Sequence, residues 1–512
     1  MPDYTHVSEE IVATPDEIAG LDSVYQNLQN TFSSGISRSF DWRIRNLRNL
    51  QRMVSENYEL ISQALLADLN QADPTPHLLD VIRETQYMIS HLSNLMQSKS
   101  VTSEISIVNF PARAELVPEP LGAVLIIGTW NYPFHSSLGP LAGAIAAGNV
   151  VVVKPGSLAR SSSKLMSELI RKNFDSNAIV CLEGGKEILQ PILDMKWDHI
   201  MFTGSPHMGR IVMGAAAKHL TGVTLELGGK SPVIVTETAD IALAARRVCW
   251  SKFASNAGQV CVSCDHMFVH SSVADEFISK LKVMIGVFFP ELARSDPNYC
   301  RIVTRGHTER LKKIIETDKG HLIIGGESVV DEKFVAPTVI DFQLDWEAFK
   351  SSACMQGEIF GPILPIVRYD TIDQIESFIR SQTRTKPPLA FYIFTSESRA
   401  SVRNRWINQC PAGAVVVNDC GMHIVEEDLP FGGVGTSGLG AYHGRKSFEI
   451  FTHYKPVLWK TRWLDIPFRY PPLTRLRQRA VVFLLWLARH RVTPMRIGKS
   501  VLLLAILWRI FT

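Results

Sequence analysis

The chain has 512 residues, 46% of them hydrophobic and 20% charged, with a formal net charge of +3. This is the composition of a globular protein with room for two or more cored domains, and it excludes both a disordered chain and a bundle of membrane spans. Eight cysteines scattered from Cys181 to Cys420 make no disulfide framework, so a reducing compartment is expected.

The net charge conceals a division. Residues 460–512 carry eleven Lys or Arg and one acid, Asp465, a balance of +10 against −7 for everything before them. A mildly acidic body therefore carries a strongly basic tail. The polar, acidic start "MPDYTHVSEEIVATPDEI" has no apolar core of the kind a secretory signal needs.

In chain order, Leu21 to Ser98 is rich in helix formers. Leu47, Leu50, Met53, Val54, Leu60, Ile61, Leu65 and Leu66 recur at roughly helical spacing, which predicts one core-facing stripe. After Pro120 the texture changes. "GAVLIIGTWNYPF" and "VVVVKPGS" are short apolar runs ending in Gly or Pro, as buried parallel strands do, with the small-residue helix "LGPLAGAIAAGN" between them. "HIMFTGS", "HMGRIVMGAAAKHL" and "VTLELGG" continue the alternation, so an α/β, doubly wound domain is expected. A second α/β segment runs from about Lys230 to Asp419, with strands "MFVH" and "AVVVND" and helices "ADEFISKLKVMIGVFF" and "TIDQIESFIRSQ".

Three stretches bear on chemistry. In "FTGSPHMGR", Gly204, Ser205 and Gly209 allow a tight turn whose following helix could face a pyrophosphate, or the turn is merely structural. In "TLELGGKSP", Glu226 ends a strand as either a general base or an ordinary edge carboxylate. In "NAGQVCVSCDH", Cys261 and Cys264 form a Cys-x-x-Cys pair that reads as a redox couple, half of a zinc site, or one working thiol with a bystander. No second such pair exists, and His266 and His270 lie too close to Cys264 for finger spacing, so no metal site is expected.

Seven motifs in one order, "GTWNYPF", "VVKPGS", "FTGS", "ELGGKSP", "GQVC", "EIFGP" and "PFGGVGTSGLGAYHG", resemble the aldehyde dehydrogenase superfamily up to about Lys455. "EPLGAVLIIGTWNYPF" and "LPFGGVGTSGLGAYHGRKSFEIFTH" resemble its class 3 branch, which includes the fatty aldehyde dehydrogenases. The resemblance implies a Rossmann-like parallel-sheet cofactor domain over 1–229, completed by 420–442, and an α/β catalytic domain over 230–419. It further implies an oligomerisation β-segment at 443–458 and a membrane-associating tail at 459–512. Carried over by motif, it makes Cys261 the nucleophile, Glu226 the general base and Asn131 the oxyanion-hole asparagine. Lys154, Gly204, Ser205, Gly209, Glu358 and Phe360 become the cofactor-binding residues.

The implied reaction is NAD(P)-dependent oxidation of medium- or long-chain aliphatic aldehydes to acids through a thiohemiacetal and a thioester. An aromatic- or semialdehyde-specific dehydrogenase and an inactive membrane scaffold are the competing readings. NAD is the expected cofactor. NADP stays open because Ser157 replaces the usual acid, and a serine would not repel a 2′-phosphate. Cys264, where class 3 members commonly carry proline, is expected to be a small buried thiol able to oxidise against Cys261.

The tail holds two apolar runs, Ala480–Ala488 and Val501–Trp508, each long enough as a helix for only about 12–14 Å against a hydrocarbon core of about 30 Å. Flanking Arg and Lys with Trp486 and Trp508 suit an in-plane or embedded anchor on anionic lipid. The expected partners are an aldehyde, a membrane and a second copy of the chain, with no nucleic acid. The catalytic body is expected to face the cytosol.

Overall fold

A computed structural model describes residues 11–71, 73–101, 112–291 and 293–463, with isolated positions at 465, 470–472, 474–475, 478–479, 482 and 489. The N-terminal periodicity resolves into two helices, Phe40–Ser55 and Tyr58–Leu69. Ser39 starts the first by accepting a hydrogen bond from the Trp42 N–H at 3.1 Å. The backbone leaves helical geometry at Asn57, whose amide donates back to the Met53 carbonyl at 2.8 Å.

That break corrects the expected stripe. Leu47, Leu50, Met53, Val54, Ile61 and Leu65 are buried, but Leu60 and Leu66 are 46% and 45% exposed. The interruption resets the helical phase, so Ile61, Ala64 and Leu65 face inward and their neighbours at 60 and 66 point away.

Among the described residues, the larger compact unit, within 1–92 and 120–451, contains two large sheets and a two-stranded ribbon, Ser328–Val329 with Phe334–Val335. In the six-stranded sheet the chain builds outward from Ala123–Ile127 through Val150–Lys154 to Ile179–Cys181. It then returns to the other side of the first strand with His199–Gly204 and Gly222–Leu227, all parallel. Gly438–Leu439 closes that edge in antiparallel register, pairing Gly438 with Glu226. This is the doubly wound order, and its reversal falls between Ala123–Ile127 and His199–Gly204, where a crevice opens beyond the strand ends.

The second sheet has seven strands, with Pro232–Val235 and His266–His270 at its centre and Ile363–Tyr369 and Ala390–Phe394 beside them. All its pairings are parallel except that of the edge strand His321–Ile324. Small residues let helix Pro133–Ala147 pack closely: a Cβ on Gly143 would sit 2.6 Å from the Ser447 carbonyl oxygen.

The described residues within 93–119 and 452–512 form a second unit. Its three-stranded sheet orders Lys99–Ser100, Arg113–Pro120 and Thr452–Trp459, with Lys455 paired to Glu119 and the Trp459 indole donating to Glu115 at 2.6 Å. The apolar run Ala480–Ala488, apart from Val482, and the whole of Val501–Trp508 lie outside the described residues. Among the described residues, no helix is long and apolar enough to cross a membrane.

Leu65→Ala is expected to cost about 2–5 kcal/mol and Leu66→Ala no more than about 0.5 kcal/mol, compared by chemical denaturation midpoints. Equal losses would contradict the phase reset.

Candidate active site

From Leu227, the last residue of its strand, the chain reaches Pro232 of the second sheet within five positions. The carboxyl ends of the first sheet's strands therefore open toward the amino ends of the second sheet's strands. Between them lies a cavity of about 640 Å³ lined by Asn131, Gly204, Ser205, Glu226, Cys261, Glu358 and Phe360. Seven of the nine expected site residues thus meet in one place.

The other two do not line it. Lys154 ends its strand, is 5% exposed, and donates to the Pro155 carbonyl at 3.0 Å. Gly209 is buried, and a Cβ there would lie 2.7 Å from Leu227 Cδ2. Its glycine lets the helix Pro206–Ala217 lie close on the strand, a packing role.

Cys261 sits on a loop held in an unusual backbone. Asn256, Ala257 and Gly258 have φ of 47°, 48° and 75°, three successive left-handed residues of which two are not glycine. Gln259 over-determines that geometry. Its amide donates to the Asn256 and Arg301 carbonyls at 3.2 and 3.0 Å and accepts from the Val303 N–H at 3.0 Å. The Gln259 carbonyl in turn accepts from the Asn131 amide at 2.9 Å and from Asn256 at 3.3 Å. An amide NH₂ carries two hydrogens, so this bond orients Asn131 while leaving it a second hydrogen to donate.

Electrostatics separate the reactive groups. Burial, with the nearby Glu358 and Glu226, pushes the Cys261 thiol up to about 12, although the N–H groups of Cys261 and Val262 favour the thiolate. Glu226 is 2% exposed, and neither carboxylate oxygen has a hydrogen-bond partner among the described residues. Burial raises its pKa well above the usual carboxylate value. Such a carboxyl, on the rigid strand Gly222–Leu227, is suited to taking a proton.

The surroundings fit a nicotinamide dinucleotide. Ser205 caps the twelve-residue helix Pro206–Ala217 by accepting from the Met208 N–H at 3.3 Å, and Gly204 and Ser205 turn this positive helix end toward the cavity. Trp130 and Phe360 meet edge to face, with centroids 5.5 Å apart, and form an aromatic wall. Gly156 lies so close to this segment that a Cβ would sit 2.6 Å from the Trp130 nitrogen. Burial and the charge of Asp265 push Glu358 up to about 8.

The sequence of residues 16–457 matches the Aldehyde dehydrogenase family model. The chain belongs to the aldehyde dehydrogenase family. Aldehyde dehydrogenase family 3 comG of Dictyostelium discoideum is 39% identical over 461 residues, which cover 89% of this chain and 95% of that one. Aldehyde dehydrogenase family 3 member A2 of Rattus norvegicus is 38% identical over 452 residues, covering 87% and 90%. A solved structure described as the substrate-bound state of Staphylococcus aureus AldH shares the fold with a TM-score of 0.85 at 35% identity, covering 90% of this chain and 99% of that one. This aldehyde dehydrogenase is an oxidoreductase acting on aldehydes, and its α/β architecture is that of the family.

Three groups in this aldehyde dehydrogenase escaped the reading of its sequence. Gln259 was legible only as part of "GQVC". Asp265, next to Cys264, pairs with Lys230 and accepts the Ile359 N–H at 2.9 Å, which ties the "EIFGP" loop to the nucleophile segment. Against the cost of burial, Lys230 and His266 hold Asp265 well below the usual carboxylate range. Third, the His135 Nε2 lies 3.1 Å from the Tyr442 hydroxyl and its Nδ1 3.6 Å from Asp80, so a polar chain reaches the cavity wall. Only proximity to "NYPF" and "GAYHG" could have flagged it.

Because the raised pKa keeps Cys261 protonated at neutral pH, its alkylation by iodoacetamide in cofactor-free enzyme should be slow at pH 7 and still rising above pH 9. A rate that levels off below pH 8, followed by peptide mass spectrometry, would contradict this electrostatic picture.

Proposed function

We propose that this aldehyde dehydrogenase oxidises medium- and long-chain aliphatic aldehydes to carboxylic acids, with Cys261 as nucleophile, Glu226 as general base and Asn131 as oxyanion donor. The observation that carries the reading is one cavity holding the thiol, an unpartnered buried carboxyl and an oriented amide. Cys261 releases its thiol proton to water as its Sγ adds to the carbonyl carbon, and the Asn131 amide with the Cys261 N–H receives the developing oxyanion. Gly204, Ser205, Glu358 and Phe360, with Lys154 toward its ribose, would hold a nicotinamide cofactor, which would supply the hydride acceptor. Glu226 then deprotonates the water that hydrolyses the thioester on Cys261.

The substrate class rests on the rest of the lining. Leu79, Trp250, Met422, Ile424, Val425 and Phe431 give the cavity an apolar wall suited to a hydrocarbon chain. NAD is the proposed cofactor. NADP is the alternative that Ser157 leaves open, since a serine would not repel a 2′-phosphate.

With either nicotinamide cofactor, kcat/KM should rise about fourfold per added methylene until the cavity is filled, each buried CH₂ contributing about 0.8 kcal/mol. Cys261→Ser should abolish turnover, and Glu226→Gln should slow it by about 10²–10⁴-fold while a first-turnover burst persists. A flat chain-length profile would remove the aliphatic assignment, and an active Cys261→Ser the nucleophile.

The basic, apolar tail supports association with anionic membranes, with the catalytic body facing the cytosol. The edge strand Thr452–Trp459, mostly exposed, supports a homodimer formed by strand pairing. A chain ended after Trp459 should lose co-sedimentation with anionic vesicles yet remain dimeric by light scattering. Retained vesicle binding would remove the tail from the reading, and a monomer would remove the strand.

A further inference from the structure

The Cys-x-x-Cys pair that opens the question of redox chemistry is not the pair the fold assembles. Cys264 Sγ lies 3.3 Å from Cys420 Sγ, a residue 156 positions away in the chain, and 3.6 Å from the Ser251 hydroxyl. Both sulfurs are 0% exposed. We propose that Cys264 and Cys420 are a reversible redox pair, a disulfide-forming modification site that joins the nucleophile segment to the wall of the substrate cavity.

The geometry requires little movement. A disulfide needs a sulfur separation of about 2.05 Å, so the two side chains close by little more than an ångström. The segments they would join are otherwise anchored. Cys264 precedes Asp265, whose carboxylate holds Ile359 and Lys230. Cys420 follows Asn418 and Asp419. The Asn418 side chain accepts the Thr395 N–H and donates to the Thr395 carbonyl, both at 2.8 Å, and Asp419 lies 3.4 Å from Arg247. Gly421, with φ of 74°, and Met422 then enter the cavity wall.

Ser251, Val262 and Gly421, chain neighbours or hydrogen-bond partners of the two cysteines, line the cavity, so a small peroxide in the active site reaches the buried sulfurs when this wall opens locally. The sulfurs are inequivalent. Against the cost of burial, the side-chain hydrogen bonds with Cys420 and Ser251 and the charge of Lys252 favour the thiolate at Cys264. Burial and the neighbouring Cys264 keep Cys420 a thiol. Cys264 is therefore the attacking sulfur and Cys420 the resolving one.

The chemistry balances with a peroxide as oxidant. The Cys264 thiolate attacks one peroxide oxygen, the O–O bond breaks, and hydroxide leaves to be protonated by solvent, giving a sulfenic acid. The Cys420 sulfur attacks the Cys264 sulfur, its proton and the hydroxyl depart as water, and the S–S bond forms. Two electrons pass from the thiols to the peroxide, and a dithiol reductant returns them by exchange.

The test uses the full chain carrying Cys261→Ser, which removes the proposed nucleophile from the thiol count. After brief hydrogen peroxide treatment, alkylation and non-reducing proteolysis, two thiols per chain should be lost and restored by dithiothreitol. Mass spectrometry should show one cross-linked species containing Cys264 and Cys420. Adding Cys420→Val, or independently Cys264→Ala, should abolish the cross-link. Undiminished loss of two thiols in the Cys420→Val chain, or a cross-link that joins Cys264 to any other cysteine, would overturn the pairing. So would an intact thiol count after peroxide. The outcome is independent of which aldehyde the enzyme oxidises.

Discussion

The site depends on one short crossing of the chain, from Leu227 through Gly228 and Gly229 to Pro232. Because so few residues separate the two strands, the carboxyl ends of one parallel sheet must face the amino ends of the next. The crossing is closely approached at its glycines: a Cβ on Gly228 would lie 2.1 Å from a Glu358 carboxylate oxygen, and one on Gly229 3.3 Å from the Pro388 Cα. Loops from both sheets therefore converge on one volume. The first supplies Asn131, Ser205 and Glu226, and the second supplies Cys261 and Glu358.

Within that volume the protein opposes its own reactivity at rest. The groups that would carry charge are buried, and burial favours their neutral forms, so Cys261 stays a thiol and Glu226 and Glu358 are pushed toward protonation. Asp265, beside that volume, is by contrast paired with Lys230 and serves the loop structure. The strained loop before Cys261 follows the same logic. Left-handed Asn256 and Ala257 persist because the Gln259 side chain makes hydrogen bonds that no extended loop could make.

Much of this was legible in the chain. Apolar runs ended by Gly or Pro located the strands Ala123–Ile127 and Val150–Lys154, and the small residues of 138–149 located the helix between them. The family resemblance carried by seven ordered motifs names the seven residues that line one cavity. Leu60 and Leu66 were misread because a periodic pattern does not register a two-residue break. Gly209 carries a cofactor motif's glycine, yet here it serves helix packing against Leu227. Asp80 and His135 were invisible because a polar chain between a helix and a distant loop leaves no spacing to read.

The sequence by itself determined which residue types and in what order the chemistry required, since strand periodicity, turn glycines and a thiol after Gly-Gln are local properties. Only the tertiary structure decided which groups share a space, because contacts across more than a hundred residues arise from sheet order rather than from spacing. The two cysteines of "NAGQVCVSCDH" show the difference. Three positions apart in the chain, they have separate surroundings: Cys261 opens on the cavity with Glu226, while Cys264 faces Cys420 in the interior. The loop directs the two thiols apart, and the packing of residues 418–422 supplies the second with its partner.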